Sequence, residues 1–503
     1  MNKKEIIEYL KNNEIDVQSA KANVFIADLV YQAYAESKEI HGIKFDPVFC
    51  YFNFNELESF YQFLRKDAMN SISKKIYSDF LEKPESLDKK IDNHNKLTKE
   101  IDLIWERYIK KQGDISKNDL VNIFKEITSK AHEWWKYGVI GEDKGEVINS
   151  EVVPRFQKRH DIDFEKAKKI IETFAHPDEP AFFNKERDLF LEICLSVIDF
   201  KKGEVGKVIN DEKILYLIDK YIKDFFWFQT DFYSRKVVTR ESLLEKVNDE
   251  ISEKGKKGII KEIKLTEKSL SEIKKKKKEL LESSNLSKND LRDIEFSKEI
   301  MTWFDNRKLG TMKQVYYLFD LLEKIAEENN LSYHDLSLYS VEEIQRLLDE
   351  GVKIKEDEIK KRNGNAFIAF EEKNKSCFCG DFGKELFNIV LDSQKSNTLK
   401  GVVASKGSKE IVQGRANIVI NPENSSFNEG DILVTSMTRV EFVPIMRKAK
   451  AIITNEGGIA CHAAIVSREL GIPAIIGTKV ATETLKDGDK IEMDMKTGEI
   501  KII

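Results

Sequence analysis

Proline is scarce in this chain: 8 residues in 503, with none between Pro180 and Pro422. Proline breaks helix interiors, so a gap of that length suits long helices. Cysteine is scarcer still. Five cysteines cannot make a disulfide framework in a chain of this size, so a reducing cytoplasm is the expected setting. No run nears the ~18 consecutive apolar residues a membrane helix needs. The start, MNKKEIIEYLKNNEID, lacks a signal-peptide apolar region. An excess of positive charge is also missing, with 83 Lys and Arg against 88 Asp and Glu for a net charge of −5. That argues against a nucleic-acid partner held by bulk charge. Present in quantity are charged residues of both signs (34%) and hydrophobic residues (41%), enough for real cores. Length alone predicts about two to four domains. The expectation is a soluble cytoplasmic protein.

Glycine divides the chain. Fourteen of the 24 glycines precede residue 399, and ten fall in the last 105 residues. The first part is written in Lys, Glu, Ile, Leu and Phe at helical spacing. Leu318, Leu321, Leu322 and Ile325 fall on one helix face, and Ser340 with Glu343 is a capping-box pair. Residues 1 to about 365 are therefore expected to be helical, in two lobes meeting near residue 200. A β-like passage, Phe367–Phe370 and Ser376–Gly380, follows as a hairpin or connector. From Gly401 the texture becomes short β-branched runs closed by turns: GVVAS, ANIVI, DILVTS, KAIITN, PAIIGT, KIEMDM and EIKII. One helical stretch, Cys461–Leu470, interrupts them. The fold class expected is multidomain, a large all-α N-terminal region followed by a compact α/β domain. The expected boundaries are 1–200, 201–365, 366–400 and 401–503.

Two local features invite a functional reading. Lys274–Lys278 is a run of five lysines in a Lys/Glu-rich segment, and a solvated helical hairpin accounts for it better than a phosphate or partner patch. Phe225-Phe226-Trp227-Phe228, with Phe232-Tyr233, belongs either to a core or to the wall of a ligand pocket. No basic face with interleaved aromatics supports nucleic-acid binding.

The informative segment is 452–477, IITNEGGIACHAAIVSRELGIPAIIGT. A β-run ending at Thr454 feeds a turn with Gly457 and Gly458, and a helix opens near Cys461 and His462. Gly471 stands where a helix C′ residue belongs, with Pro473 just beyond. His462 thus falls in a helix's first turn, beside unpaired N–H groups and the positive dipole end, where anions such as phosphate bind. The dipole disfavours imidazolium and keeps the ring neutral and nucleophilic. A neutral histidine there can attack a phosphoryl group and carry it covalently; a merely hydrogen-bonded or exposed histidine is the plainer alternative. Cys461 reads either as a low-pKa thiol at a helix start or as a small structural residue. Cys377, Cys379 and Cys461 lack a second close Cys/His pair to complete a metal site, and strand alternation is the simpler account of the first two.

Thr454, Gly457, Gly458, Cys461, His462, Ala463, Ala464, Arg468, Glu469, Gly471, Ile472 and Pro473 stand in the order of the phosphohistidine signature of the PEP-utilizing enzymes. The segment resembles those of PEP synthase, pyruvate phosphate dikinase and rifampin phosphotransferase. Gly430–Thr438 with Pro444-Ile-Met resembles the opening strands of the same domain, and Asp487-Gly-Asp489 with Asp494–Gly498 its closing hairpin. The resemblance covers 401–503, about a fifth of the chain. It implies that His462 is the phosphorylated residue, that Thr454, Gly457, Gly458, Cys461 and Ala463 form its phosphate-binding turn, and that the domain swivels between two distant sites.

Departures bound what the resemblance implies. Ala460 occupies the position of the Thr that a regulatory kinase targets in PEP synthase and the dikinase, so that regulation is not expected. Asn455 stands where Asp is common, with Glu456 next. Neither a Gly-rich ATP-grasp loop nor a PEP/pyruvate-binding barrel is recognisable. In rifampin phosphotransferase a helical acceptor-binding domain precedes the histidine domain. Lys220–Trp227, Trp303–Lys313, His334-Asp-Leu, Glu342-Glu-Ile and Arg362 resemble such a region. The expectation is a phosphotransferase component with no resident cofactor or metal, using Mg-ATP or PEP as donor. An ATP-grasp or PEP-binding partner in trans and a small-molecule acceptor complete it. Glu456, Arg439 and Arg468 are candidate supporting residues, although Arg468, at i+6 from His462, is not on the neighbouring helix face. The alternative is a regulatory protein using the histidine domain as a docking module.

Overall fold

The periodicity at 318–325 belongs to a 41-residue helix, Lys288–Glu328. The computed structural model describes the chain apart from residues 21, 55–58, 144–145, 178, 201–210, 284, 395–398, 408–409, 421, 423–424, 439–441 and 456–461. It also leaves aside the side chains of 19, 20, 59, 142, 143, 266, 267, 269, 270, 393, 394, 462, 465, 469 and 483. Ser287 caps the 288–328 helix reciprocally with Asp290. Leu318, Leu321, Leu322 and Ile325 are buried together in the largest core. Ser340 and Glu343 form the predicted capping box at the start of the helix Val341–Glu350.

The first part is predominantly helical, but it is not all-α. Strands β1 (Ile15–Ala20), β2 (Val48–Asn53) and β3 (Ser59–Arg65) join β4 (Ala366–Phe370) and β5 (Lys375–Cys379) in one antiparallel sheet, ordered β1-β3-β2-β4-β5. The physical reason β2 and β3 escape notice is burial on both faces, while β1 gives the core only Ile15 and Val17 of a short alternating run. Val48, Cys50, Phe52 and Ile368 enter the large helical core. Phe49, Tyr51, Phe63 and Phe367 enter a second core with Leu10 of the helix Lys3–Asn12 and Phe387 of the helix Asp381–Gln394. Strands apolar on both faces lose the alternation that identifies them. The passage 366–400 is β-like in its first part, where the expected hairpin is present as β4 and β5. Its hairpin completes this sheet, with Ile368 opposite Cys50, and residues 381–394 are helical.

Packing does not follow chain order. The helices Phe182–Phe200, Glu212–Phe225 and Arg240–Ser283 share a small core around Leu191, Ile193, Ile218 and Leu243. The 288–328 helix then returns to the core built by the first 171 residues. The lysine run lies on the helix Arg240–Ser283, which breaks direction at Gly255 (φ 60°, ψ 174°). Lys275 and Lys278 meet Glu279 and Glu282 one turn on, at 3.7 and 3.9 Å. That is a solvated helix face, as the composition suggests. Among the described residues no helix is long and apolar enough to cross a membrane.

The C-terminal part is an eight-stranded sheet. Its strands are β6 (Leu399–Lys400), β7 (Val402–Ser405), β8 (Ile411–Ile418), β9 (Ile432–Thr435), β10 (Ala451–Thr454), β11 (Ala474–Ile476), β12 (Lys490–Asp494) and β13 (Glu499–Ile502), in the order β6-β13-β12-β8-β9-β10-β11-β7. Strands β8 to β11 run parallel, and the flanking strands are antiparallel. Every β-run predicted beyond Gly401 is present. Two short helices, Val443–Lys448 and Ala481–Thr484, accompany the expected one, here His462–Leu470.

Candidate functional site

Four parallel strands place their carboxyl ends along one edge, the side on which open α/β sheets bind ligands. Thr435 and Thr454 are register partners at that edge. Thr454 is fully buried, and its carbonyl accepts from the backbone N–H (3.0 Å) and the hydroxyl (2.9 Å) of Thr478. The next residue is held on four sides. Asn455 N–H donates to the Thr435 carbonyl at 3.0 Å, and its own carbonyl accepts from Lys479 N–H at 2.8 Å. Its side-chain oxygen accepts from Thr482 N–H (3.0 Å), and its amide donates to Thr482 Oγ1 (2.5 Å). The chain thus enters residues 456–461 from a stem fixed by neighbouring segments and leaves them at the helix His462–Leu470.

That helix sits close to the sheet because its first turn is small. Ala463 and Ala464 are buried against Ile476, with Ala404 alongside. Ser467, also buried, satisfies its hydroxyl on the Ala464 carbonyl at 3.1 Å. The helix ends at Gly471, whose φ is +67°. Gly471 N–H donates to the Arg468 carbonyl and Ile472 N–H to the Ser467 carbonyl, the two bonds of a Schellman stop. The opposite end carries the positive pole of the helix dipole, where an anion is favoured.

Among the predicted site residues, Thr454 ends β10, His462 takes the first helical position, and Ala463 packs beneath it. Arg468 is exposed, and its Nε donates to the Ala404 carbonyl at 3.2 Å, in the last turn of the helix and away from its start. Arg439, Glu456, Gly457, Gly458 and Cys461 lie outside the described residues, as does the side chain of His462. The clamp between Asn455 and Thr482 was not foreseen, and the only sequence signal is a buried-strand terminus followed by Asn. Lys479, beside it, has positive φ (70°), and its ammonium lies 3.9 Å from Asp16 of β1.

A second concavity lies in the helical part. A cavity of about 360 Å³ is lined by Phe182, Phe225, Trp227 and Leu309, with Asp305 and Lys313 among its polar residues. Two members of the aromatic cluster therefore line a pocket, while the Trp227 ring is itself buried. Burial pushes the Asp305 carboxyl above the usual range, against the pull of Lys308 and a hydrogen bond from the Phe182 backbone. Lys313 is tied to Asp102 at 2.6 Å. Among the described residues no group of three or more His, Cys, Asp or Glu could hold a metal ion.

Residues 427–498 match the family described as PEP-utilising enzyme, mobile domain, so the C-terminal part of the chain carries a domain of that kind. A probable phosphoenolpyruvate synthase of Archaeoglobus fulgidus is 54% identical over 101 residues, 20% of this chain and 13% of that one. An uncharacterized phosphotransferase, YvkC of Bacillus subtilis, is 34% identical over 198 residues, 37% of this chain and 23% of its own. Rifampicin phosphotransferase of Bacillus cereus is 28% identical over 209 residues, 41% of this chain and 21% of its own. This chain thus spans less than a quarter of each of these relatives. The two phosphotransferase matches are about twice the length of the 101-residue one, so each extends well upstream of Gly401 into the helical part. A solved aconitase X of Thermococcus kodakaraensis overlaps 21% of this chain and 98% of its own at 23% identity and a TM-score of 0.17, which bears on nothing here.

Proposed function

We propose, from a C-terminal domain of the PEP-utilising mobile type, that this chain is the phosphoryl-carrying component of a phosphotransferase, with His462 as the carrier. One observation supports the reading above all. The helix that opens at His462, following β10 in the chain, sets its N-terminus at the carboxyl edge of a parallel sheet, inside the segment 427–498 that matches the mobile-domain family. In the first half-reaction a neutral His462 ring nitrogen attacks the transferred phosphorus of Mg-ATP or PEP. A P–O bond breaks, an N–P bond forms, and the donor departs with the electron pair. In the second, an acceptor hydroxyl oxygen takes the phosphoryl group, the N–P bond breaks, and the hydroxyl proton passes to a base. Thr454, Gly457, Gly458, Cys461 and Ala463 would shape the turn around the phosphoryl group, with Glu456 and Arg439 as candidate supports.

The helical cavity is the proposed acceptor site. Its aromatic lining suits an amphipathic small molecule, and Asp305, with its raised pKa, is placed to receive the hydroxyl proton. Nucleotide or PEP would be bound by an ATP-grasp or PEP-binding protein in trans, and Mg²⁺ would arrive with the nucleotide. The boundaries 401–503 for the carrier and 201–365 for the acceptor region belong to the same proposal, with Phe182 and its neighbours before residue 201 completing the cavity wall.

The test is mass spectrometry under alkaline conditions, where phosphohistidine survives. The protein is incubated with Mg-ATP or PEP, alone and with a candidate ATP-grasp partner, beside a His462→Ala control. An acid-labile adduct of about 80 Da on the 454–477 peptide, absent from the control, is expected. Folded protein that stays unmodified beside a partner of verified activity would overturn the carrier role and leave the docking-module reading.

A further inference from the structure

Strand β5 is the edge of the N-terminal sheet, next to β4 only. Cys377 and Cys379 are two residues apart on it, opposite Ile368 and Ala366, and so they share one face. The expected alternation in fact separates both cysteines from Phe378, which packs edge-on against Phe382 at 5.3 Å. The two sulfurs lie 3.6 Å apart. Cys377 is exposed and Cys379 half-buried, whereas Cys50 and Cys194 are enclosed in the cores. Burial drives the Cys194 thiol up to about 12 and raises that of Cys50 well above its usual value, which leaves both inert.

The pair has the make-up of a nucleophile and its resolving thiol. A hydrogen bond between the sulfurs is the largest influence on each, holding the Cys379 thiol below its ordinary value and the Cys377 thiol above it. Cys379 is therefore the more readily ionised of the two. The helix Glu356–Gly364 packs across this strand and supplies the neighbouring charges, with Arg362 and Lys361 favouring thiolate and Glu358 opposing it. Two sulfurs are too few for a structural zinc site, which takes four ligands.

We propose that Cys377 and Cys379 form a reversible dithiol–disulfide pair, closed by exchange with a low-molecular-weight disulfide. The Cys379 thiolate attacks one sulfur of that disulfide, whose S–S bond breaks and expels one thiolate. Cys377 gives up its proton and attacks Cys379 Sγ, breaking the mixed disulfide and expelling the second thiolate. Two protons and two electrons pass from the protein to the small disulfide, which ends as two thiols. Successive same-face residues on a strand are about 6.6 Å apart at Cα, toward the upper limit for a disulfide, so a small excess of free thiol should reopen the bond. An edge strand followed by Gly380 (φ +69°) has room for the adjustment.

Full-length reduced protein, treated with oxidised glutathione and digested without reductant, provides the test. The peptide Ser376–Lys384 is expected to lose about 2 Da, to resist iodoacetamide, and to regain both thiols with dithiothreitol. Cys377→Ser and Cys379→Ser should each stop at a mixed disulfide, heavier by about 305 Da. Protection of the wild-type pair should be complete at an oxidant concentration roughly tenfold or more below that which modifies either variant, because closure is intramolecular. Cys50 and Cys194 should react only after unfolding. A wild-type peptide that keeps a stable glutathione adduct, keeps two free thiols, or links two chains would overturn the proposal.

Discussion

Two histidines buried in the helical part show how far a titration moves when a ring is denied water. His41 Nε2 lies 3.0 Å from the Lys136 carbonyl, and its Nδ1 has no hydrogen-bond partner among the described residues. His94 Nδ1 accepts from Trp303 Nε1 at 3.1 Å, its ring stacks on Trp134, and its Nε2 has no such partner. Burial, reinforced by Lys90 at His41 and Arg307 at His94, lowers both from the ordinary 6.5 to about 3. Between those values the unfolded chain binds more protons than the folded one, so stability rises with pH across the window and is lost as pH falls below 6.5. Each histidine should remove roughly 2 kcal/mol between neutral pH and pH 5. Urea midpoints measured from pH 7.5 to 4.5 check this. His94→Gln should flatten the slope by its own share, whatever it does to stability at neutral pH. An unchanged slope in the variant would mean that His94 is not buried neutral. None of this is legible in the sequence, since a histidine's burial depends on residues such as Trp303 that reach it from a distant helix.

At the scale of elements, two glycines with the same backbone sign separate two kinds of constraint. Gly471 has φ +67° and open space around its missing Cβ. Gly498 has φ +74°, and a Cβ there would stand 2.1 Å from the Gly401 carbonyl oxygen. Gly471→Ala should therefore cost about 1 kcal/mol, the left-handed penalty alone. Gly498→Ala should cost several times that, because backbone must move where the β12–β13 hairpin meets the start of β7. Chemical denaturation of both variants distinguishes them, and equal losses would show that the close approach at Gly401 relaxes freely. The Gly471 stop is legible in sequence because a helix's end is a local demand, announced by Gly and then Pro473. The pairing of β2 with β4 is not. Its strands lie far apart in the chain, and residues 48–53 read as one apolar run because Phe49 and Cys50 face different cores.

For the whole molecule, the question is what holds the C-terminal sheet against the rest. Among the described residues two ion pairs cross that boundary, Lys479 to Asp16 at 3.9 Å, partly exposed, and Arg447 to Glu253 at 3.8 Å, exposed. Apolar contact is continuous as well, from the outer face of the N-terminal sheet through Phe387 and Leu391 of the 381–394 helix to Leu399 and Ile500. Phe387 stacks on Tyr51 at 4.0 Å, which fixes that helix to the sheet, and the same buried cluster continues to Val412, Val434 and Ile453 of the C-terminal sheet. A carrier of the proposed kind must leave its resting contacts at little cost, and an exposed ion pair contributes only roughly 0.2–1 kcal/mol. Two such pairs together change a docked-to-undocked ratio by about thirtyfold at most. The double variant Arg447→Ala, Lys479→Ala should therefore keep its unfolding free energy in urea within about 2 kcal/mol of the wild type while its small-angle scattering radius grows. Raising the salt should enlarge the wild-type radius in the same direction, because exposed charges are screened. A radius that stays fixed in both experiments would place the hold in the apolar seam around Leu391 and Leu399, and a travelling His462 would then need that seam to open.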